Sequence, residues 1–523
     1  MSLSHNACAP LNQTAAILMA AAVCDLFPGT LIVEGQGTPN CFFYDFVFPF
    51  EFQPQLIPLI EEQMRLIIRE KRAIRTLEMM PSNAAALMEH SGQKMAAERL
   101  ARVEQAVVQM CQIGEFRAYC PFPVLDKLAI DFFKIIERFP LNMSGRKIIR
   151  IVGAAAYDKE SVKALGKQVS FSSRSHLTLA REVGFFEPME EEGLWFWRPK
   201  GEILRRQLLD WWRSEHKTQN FSLIASPTSL IGEGGEESVR LSHQEYFLRL
   251  DAPKVAEVVW ISSRDHVDSG AGLFSPKAFT ADRAHLFCSD ENLLDECISS
   301  LHFIFAIPKI LGFEFEIVLS VSSEGAQKAR ARGAALLQKA LEKVGVDYVV
   351  EKNYRMGILA SVEVRFADSL GRRWTGPFLS VPEKALPMDR GNILVRSTFG
   401  SLERLVALLL EKRGGWLPFW MAPEQVRVLI ASTNAGSYAK QVFDALKAQG
   451  VRATLESGED TLKARIYRAI LEKVPYIILL GEREEKAASL TVRAYGENEE
   501  ESLSLDEFYM RLKREMRSGN SES

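Results

Sequence analysis

Residues 393–430, ILVRSTFGSLERLVALLLEKRGGWLPFWMAPEQVRVLI, constrain the fold more than any other stretch of the chain. They read as a strand, a turn at Gly400-Ser401, an apolar helix, and a Pro-flanked entry near Leu417-Pro418 into a new α/β unit. A core must therefore close before this entry and a second one open after it. The 523 residues suggest roughly three domains on length alone.

Hydrophobic residues make up 47% and charged residues 25%, which places the chain among soluble globular proteins and not among disordered or fibrous ones. Net charge is −3, from 64 basic and 67 acidic residues, so only a local basic patch would attract a polyanion. The seven cysteines, at 8, 24, 41, 111, 120, 288 and 297, form no C-x-x-C pair and read as reduced, buried thiols. The apolar patch at 15–23 lacks a basic leader and is too short to span a bilayer, so a cytoplasmic location without membrane contact is expected.

Three units follow from periodicity. In the first, residues 11–26 are a helix, short strands lie near 30–33 and 41–48, and 55–74 is a long amphipathic helix; this is an α+β unit. The second begins near Leu177 with a helix at 201–216 and a strand at 221–225. Strands at 255–261, 285–288, 313–319, 346–350, 361–366 and 393–395 follow without regular β-α alternation, which favours a mixed, largely antiparallel sheet. The third does alternate, with strands at 426–431, 451–455, 476–480 and 490–492 and helices at 437–449 and 462–473. Ser504 and Glu507 form a capping box for its last helix, and 517–523 is expected to be a disordered tail.

Ordered motifs run through all three units. FWRPKGEILRRQLLDWWRSE, AFTADRAHLFCSDENLLDEC and GSLERL resemble motif 1, the segment after motif 2, and motif 3 of threonyl-tRNA synthetases, which are class II aminoacyl-tRNA synthetases. LPFWMAPEQVRVLI, KVPYIILLGEREE, LTVRAYG and SLDEFYMRL resemble that family's anticodon-binding domain. LNQTAAILMAAAVCDLFPGT, FFYDFVF and IVGAAAYDKESV resemble its editing domain. The resemblance starts at Leu11 and includes no counterpart of the small N-terminal TGS domain of many members. It implies an editing-domain-like unit at 1–176, a class II antiparallel-sheet core at 177–417 and an α/β anticodon-binding domain at 418–516.

The resemblance also assigns site positions, and many hold the wrong residue. The family binds zinc through one Cys and two His, leaving a position open for substrate. Here only His285 matches; Val395 stands at the second histidine, and no cysteine occurs between Cys120 and Cys288. Cys288 is close in sequence to His285, but in a strand the two point to opposite faces. Zinc is therefore not expected. For ATP with Mg²⁺, Arg264 and Arg404 are the candidate clamps, with His266 at an expected Glu and Ser361 at an expected Lys. The alternative for Arg404 is an ion pair with Glu403 or Glu411.

In the editing element Asn12 and Ala16 replace a His pair, and of the second element only Cys120 remains, without a His to activate it. Glu484 and Arg493 fall on base-reading positions of the anticodon domain, and Arg465, Arg468 and Lys473 line one helix beside them. These matches lead to a threonyl-tRNA synthetase-like protein without threonylation or editing, with a tRNA-binding or regulatory role. The alternatives are a zinc-free, ATP-dependent class II ligase, and a scaffold that forms a homodimer or a heterodimer with a zinc-binding synthetase. No DNA contact is expected.

Overall fold

A computed structural model describes residues 8–101, 103, 106–143, 146–172, 176–189, 194–225, 252–262, 269–322, 327–353, 357–369, 371–383, 392–458, 460–495 and 500–517. The chain divides into two compact units, Met1–Ser173 with Asp368–Arg372, and Arg174–Ala367 with Arg373–Ser523.

Unit 1 is built around α1 (Cys8–Leu26). Every residue from Leu11 to Val23 is buried, and from Ala15 to Val23 the helix is apolar on all sides because no face meets water. By length and composition Ala9–Leu26 could cross a membrane, yet 72% of it is buried inside the unit, as in a core helix. It packs on β1 (Leu31–Gly37), β2 (Phe42–Val47) and β7 (Arg146–Ala156), which with β6 (Phe132–Met143) form an antiparallel sheet in the order β1-β2-β7-β6. β2 shows a period of two: Phe42, Tyr44 and Phe46 face the α1 core, while Cys41 and Phe43 join Val152 on the other face. The helix expected over 55–74 is α2 (Ile57–Arg69). It stops because Lys71 turns to φ +53°, and Ile74 opens β3 (Ile74–Met79) of a separate sheet with β4 (Val108–Ile113) and β5 (Phe116–Tyr119). Helix α5 (Lys159–Ser172), the fifth in the chain, covers β6 and β7.

Unit 2 contains an eight-stranded sheet in the order β10-β11-β12-β17-β16-β15-β13-β14. Its strands are β10 (Ser222–Leu223), β11 (Lys254–Ser262), β12 (Ala278–Cys288), β13 (Glu316–Ser322), β14 (Val349–Asn353), β15 (Ile358–Ala367), β16 (Arg373–Pro382) and β17 (Asn392–Ser397). Only the two outermost pairings are parallel, β10 with β11 and β13 with β14. Strand β16 is absent from the sequence expectation although it lies inside the sheet. The core on one face takes Leu394, Ala284, Leu286, Leu379, Val362 and Leu319 against helices α7 (Pro199–Thr218), α8 (Leu293–Leu311) and α9 (Gln327–Val344).

After β17 the chain turns through Gly400 into α10 (Leu402–Arg413). Gly400 has φ +68°, and a Cβ there would lie 2.7 Å from the Gly376 carbonyl oxygen, so both space and backbone require glycine. The Ser401 hydroxyl accepts the Arg404 amide at 3.2 Å and caps the helix. The last sheet has the order β19-β18-β20-β21-β22, from β18 (Val426–Ile430), β19 (Ala453–Glu456), β20 (Tyr476–Leu480), β21 (Leu490–Ala494) and β22 (Glu501–Leu503). Its helices are α11 (Gly436–Ala448), α12 (Leu462–Leu471), α13 (Glu482–Ala487) and α14 (Leu505–Arg517). The Ser504–Glu507 box forms in both directions, at 2.8 Å and 3.2 Å. The expected tail lies outside the described residues, apart from Arg517 at the end of α14.

Candidate functional site

The face of the eight-stranded sheet opposite α7–α9 brings the expected ligand positions together. In register, His285 of β12 pairs with Val395 of β17, Val395 with Ser380 of β16, Ser380 with Ser361 of β15, and Ser361 with Ser320 of β13. Directly opposed residues of neighbouring strands hold their Cβ atoms about 5 Å apart, so these five side chains form one row. All five are buried. The row offers one imidazole, one isopropyl group and three hydroxyls, so the residues present do not fit zinc. Cys288 belongs to the core on the opposite face, and burial pushes its thiol up to about 12. Among the described residues no three His, Cys, Asp or Glu side chains gather as metal ligands.

Beside this row a polar cluster replaces the lysine expected at 361. The Ser361 hydroxyl donates to Glu363 at 2.9 Å, and Glu363 also accepts from Arg365 at 3.2 Å and Thr375 at 3.3 Å. Arg365 reaches on to Glu351 at 2.7 Å. Arg283, next to His285 along the face, lies 5.3 Å from the Phe378 ring.

The motif 3 turn is held from beneath by Asp282. Its carboxylate accepts from Trp212 Nε1 at 2.9 Å, Ser397 Oγ at 3.0 Å, Thr398 N at 2.7 Å and Phe399 N at 2.9 Å. One buried carboxylate thus ties α7, β12 and the turn together. Glu403 accepts the Thr280 amide at 2.8 Å and hydroxyl at 3.0 Å; burial raises its carboxyl to about 7 against those hydrogen bonds. Glu411 holds His176 Nδ1 at 2.7 Å, and His176 Nε2 accepts the Leu273 amide at 3.1 Å.

The two carboxylates considered as partners of Arg404 therefore serve Thr280 and His176. Arg404 itself donates from Nε to the Phe274 carbonyl at 3.0 Å and from Nη1 to the Thr375 carbonyl at 3.2 Å. Its guanidinium lies 5.2 Å from the Trp374 ring, and Trp374 stacks on Phe274 at 5.0 Å and 10°. These two contacts engage two of the five N–H donors of the guanidinium and fix its direction. Arg264 and His266 lie outside the described residues.

Deeper in the sheet, Arg396 is buried between Phe303 at 4.1 Å and Phe221 at 4.8 Å and donates to Gln219 at 2.9 Å. His216 donates from Nδ1 to the Trp212 carbonyl at 2.9 Å. Burial, then the Arg396 charge, lowers its pKa to about 4.

In unit 1 the expected editing positions are packed into the core. Asn12 Oδ1 accepts the Ala155 amide at 2.9 Å. Gln13 donates to Cys120 Sγ at 3.4 Å, and Cys120 donates to the Phe122 carbonyl at 3.3 Å. Burial raises the Cys120 thiol, and these hydrogen bonds offset only part of that rise.

In the last sheet one Glu484 oxygen accepts the Gly481 amide at 2.9 Å at the start of α13, and the other accepts the Thr491 hydroxyl of β21 at 3.0 Å. Burial opposes its ionisation, but these hydrogen bonds hold it below the usual carboxylate range. Arg493, half-buried on β21, has no hydrogen bond or ion pair among the described residues. The basic helix face expected from Arg465, Arg468 and Lys473 does not form. Arg465 is buried and donates to the Glu456 and Ile430 carbonyls at 3.1 and 2.8 Å. Arg468 pairs with Glu456 and Asp460. Lys473 lies beyond α12, over Trp416 at 5.1 Å.

Comparison with known proteins agrees with this frame. The anticodon binding domain family matches residues 425–515. A threonine–tRNA ligase of Clostridium kluyveri is 27% identical over 561 aligned positions, covering 97% of this chain and 88% of the relative. One of Desulfovibrio desulfuricans is 28% identical, covering 92% and 83%. Over nearly its whole length the chain is a homologue of the threonyl-tRNA synthetases, which are class II synthetases. In fold it resembles the crystal structure of the RNA binding domain of threonyl-tRNA synthetase from Cryptosporidium parvum, with TM-score 0.59, 24% identity, and coverage of 65% of this chain and 98% of that one. Within this family frame, Asp282, Glu363, Trp374 and Arg396 were not singled out by sequence reasoning. Isolated buried charges leave no local pattern, and only the motif placing Asp282 three residues before His285 offered a clue.

Proposed function

We propose that this chain is a threonyl-tRNA synthetase relative that has given up threonine activation and seryl-tRNA hydrolysis and acts in the cytoplasm by binding tRNA or regulating its use. Its division into 1–176, 177–417 and 418–516 is part of the same proposal. The observation that carries it is the row His285–Val395–Ser380. The register of β12, β17 and β16 supports a family frame in which two histidines would stand side by side, and one of them is now an isopropyl group. An imidazole alone holds zinc far too weakly to grip an amino acid. Cys120, packed against Gln13 and raised by burial, supports the matching loss at the editing position.

A zinc-free ligase on the same frame would need Arg404 for phosphate, and the two carbonyls and Trp374 around that guanidinium weigh against it. On the RNA side, the matched anticodon binding domain supports tRNA contact, with Arg493 as a cation placed to reach a base. The test is aminoacylation of total tRNA with threonine, ATP and added zinc. No charged tRNA is expected, and V395H alone should not restore it because the thiolate ligand is still missing. Threonylation by the purified wild-type protein would overturn the reading. In a parallel gel-shift titration, tRNA should bind, and R493A should weaken binding roughly tenfold, the scale of one lost base contact.

A further inference from the structure

Unit 1 carries an open groove of about 1140 Å³ between α2, β6 and α5, apart from the relict editing residues. Three exposed lysines line it: Lys134 of β6, and Lys159 with Lys163 one turn apart on the same face of α5. None of the three has an ion-pair partner among the described residues. Of the lining carboxylates, Glu61 is occupied, accepting the Ile135 amide at 2.8 Å and pairing with Arg65 at 3.0 Å. Asp131 is the remaining one, so the lining carries a net positive charge. Phe132 stands in the same groove, 37% exposed, a large ring left in water.

We propose that this groove binds a single-stranded polynucleotide, its phosphodiester backbone on Lys134, Lys159 and Lys163 and a base on the Phe132 ring. Lysines that track a backbone beside an exposed aromatic ring are the physical elements of sequence-tolerant single-strand binding. The volume exceeds that of usual small-molecule pockets, and the groove is open, which suits a polymer. A peptide strand added to β6 is the other use of such an edge. β6 is an edge strand, but a bulge between Ile135 and Glu137 breaks its register, and Glu61 already takes the Ile135 amide. Both features block strand addition. The site is independent of the anticodon binding domain and would stand even if that domain bound no RNA.

The test uses the full chain and fluorescein-labelled single strands of RNA and of DNA, followed by anisotropy across a salt series. Binding of either strand is expected, the tighter of the two naming the source. K159A/K163A should weaken it at least tenfold and flatten the slope of log affinity against log salt by about 1.4, the share of two phosphate contacts on a single strand. F132A should weaken it roughly fivefold or more with the slope unchanged. R493A should alter neither quantity, which separates this site from the proposed tRNA contact. No binding by wild type, or wild-type affinity in K159A/K163A with a native circular dichroism spectrum, overturns the proposal. So does loss of binding in R493A alone.

Discussion

The row His285–Val395–Ser380 crosses the strand that leads into the turn Gly400–Arg404, and the two places are built in opposite ways. In the row the register is continuous and the side chains offer little to a metal, an isopropyl standing beside an imidazole. The turn holds a glycine at φ +68°, a capping serine and an arginine whose guanidinium donates to two main-chain carbonyls. Backbone register and caps are set by many cooperating contacts and tolerate loss of activity. Chemistry at a site rests on single atoms and does not. A family frame can therefore persist while single side chains at a site differ.

The comparison breaks most sharply at Asp282, which serves the turn and not the row. D282A leaves Trp212, Ser397 and two amides without their acceptor. With each buried unmet donor costing about 1–3 kcal/mol, a loss of at least about 3 kcal/mol is expected, read as a lower denaturant midpoint. An unchanged midpoint would mean that the turn does not depend on that carboxylate.

Two pH experiments sharpen it further. Glu403, raised from 4.5 to about 7, contributes stability that is present below pH 4.5 and lost as pH rises through 7. His216, lowered from 6.5 to about 4, contributes stability that is present above pH 6.5 and lost as pH falls through 4. The two slopes oppose each other between pH 4.5 and 6.5, so wild type should show little net dependence from this pair. Each shift amounts to about 3 kcal/mol at full extent. E403Q, whose amide can still accept from the Thr280 amide and donate to its hydroxyl, should unmask stability that rises with pH over 4–6.5. H216Q should unmask stability that falls as pH rises over 4.5–7, checked by chemical denaturation across that range. Flat profiles in both variants would show that neither group titrates as its surroundings dictate.

The smallest effect belongs to the cap. S401A removes the hydroxyl that accepts the Arg404 amide and should cost about 1 kcal/mol, with Arg404 still in place. A cost several times larger would mean that the cap also positions the guanidinium.

Several elements were legible because their chemistry is local. Ser504 and Glu507 close a capping box wherever a helix starts, and the alternating strands and helices after residue 426 carry their own periods. Strand β16 was not, since Gly376 and Pro377 in its middle are residues that strands disfavour. In the folded sheet Gly376 lies against the Phe366 ring, where a Cβ would come within 2.2 Å, so the glycine makes room for a neighbour invisible in sequence. Arg465 and Arg468 looked like a solvated basic face, but two carbonyls and two carboxylates already claim them.

The sequence by itself determined the family, the order of the units, and which ligands could not be present, since a valine has no lone pair wherever it is placed. Tertiary structure alone decided that His285, Val395, Ser380 and Ser361 share one row, that Arg404 donates to two main-chain carbonyls, and that Lys134, Lys159 and Lys163 meet Phe132 in one groove. Residue identity is a local property, whereas pairing register, burial and the partner of a charge depend on chain segments far apart in sequence.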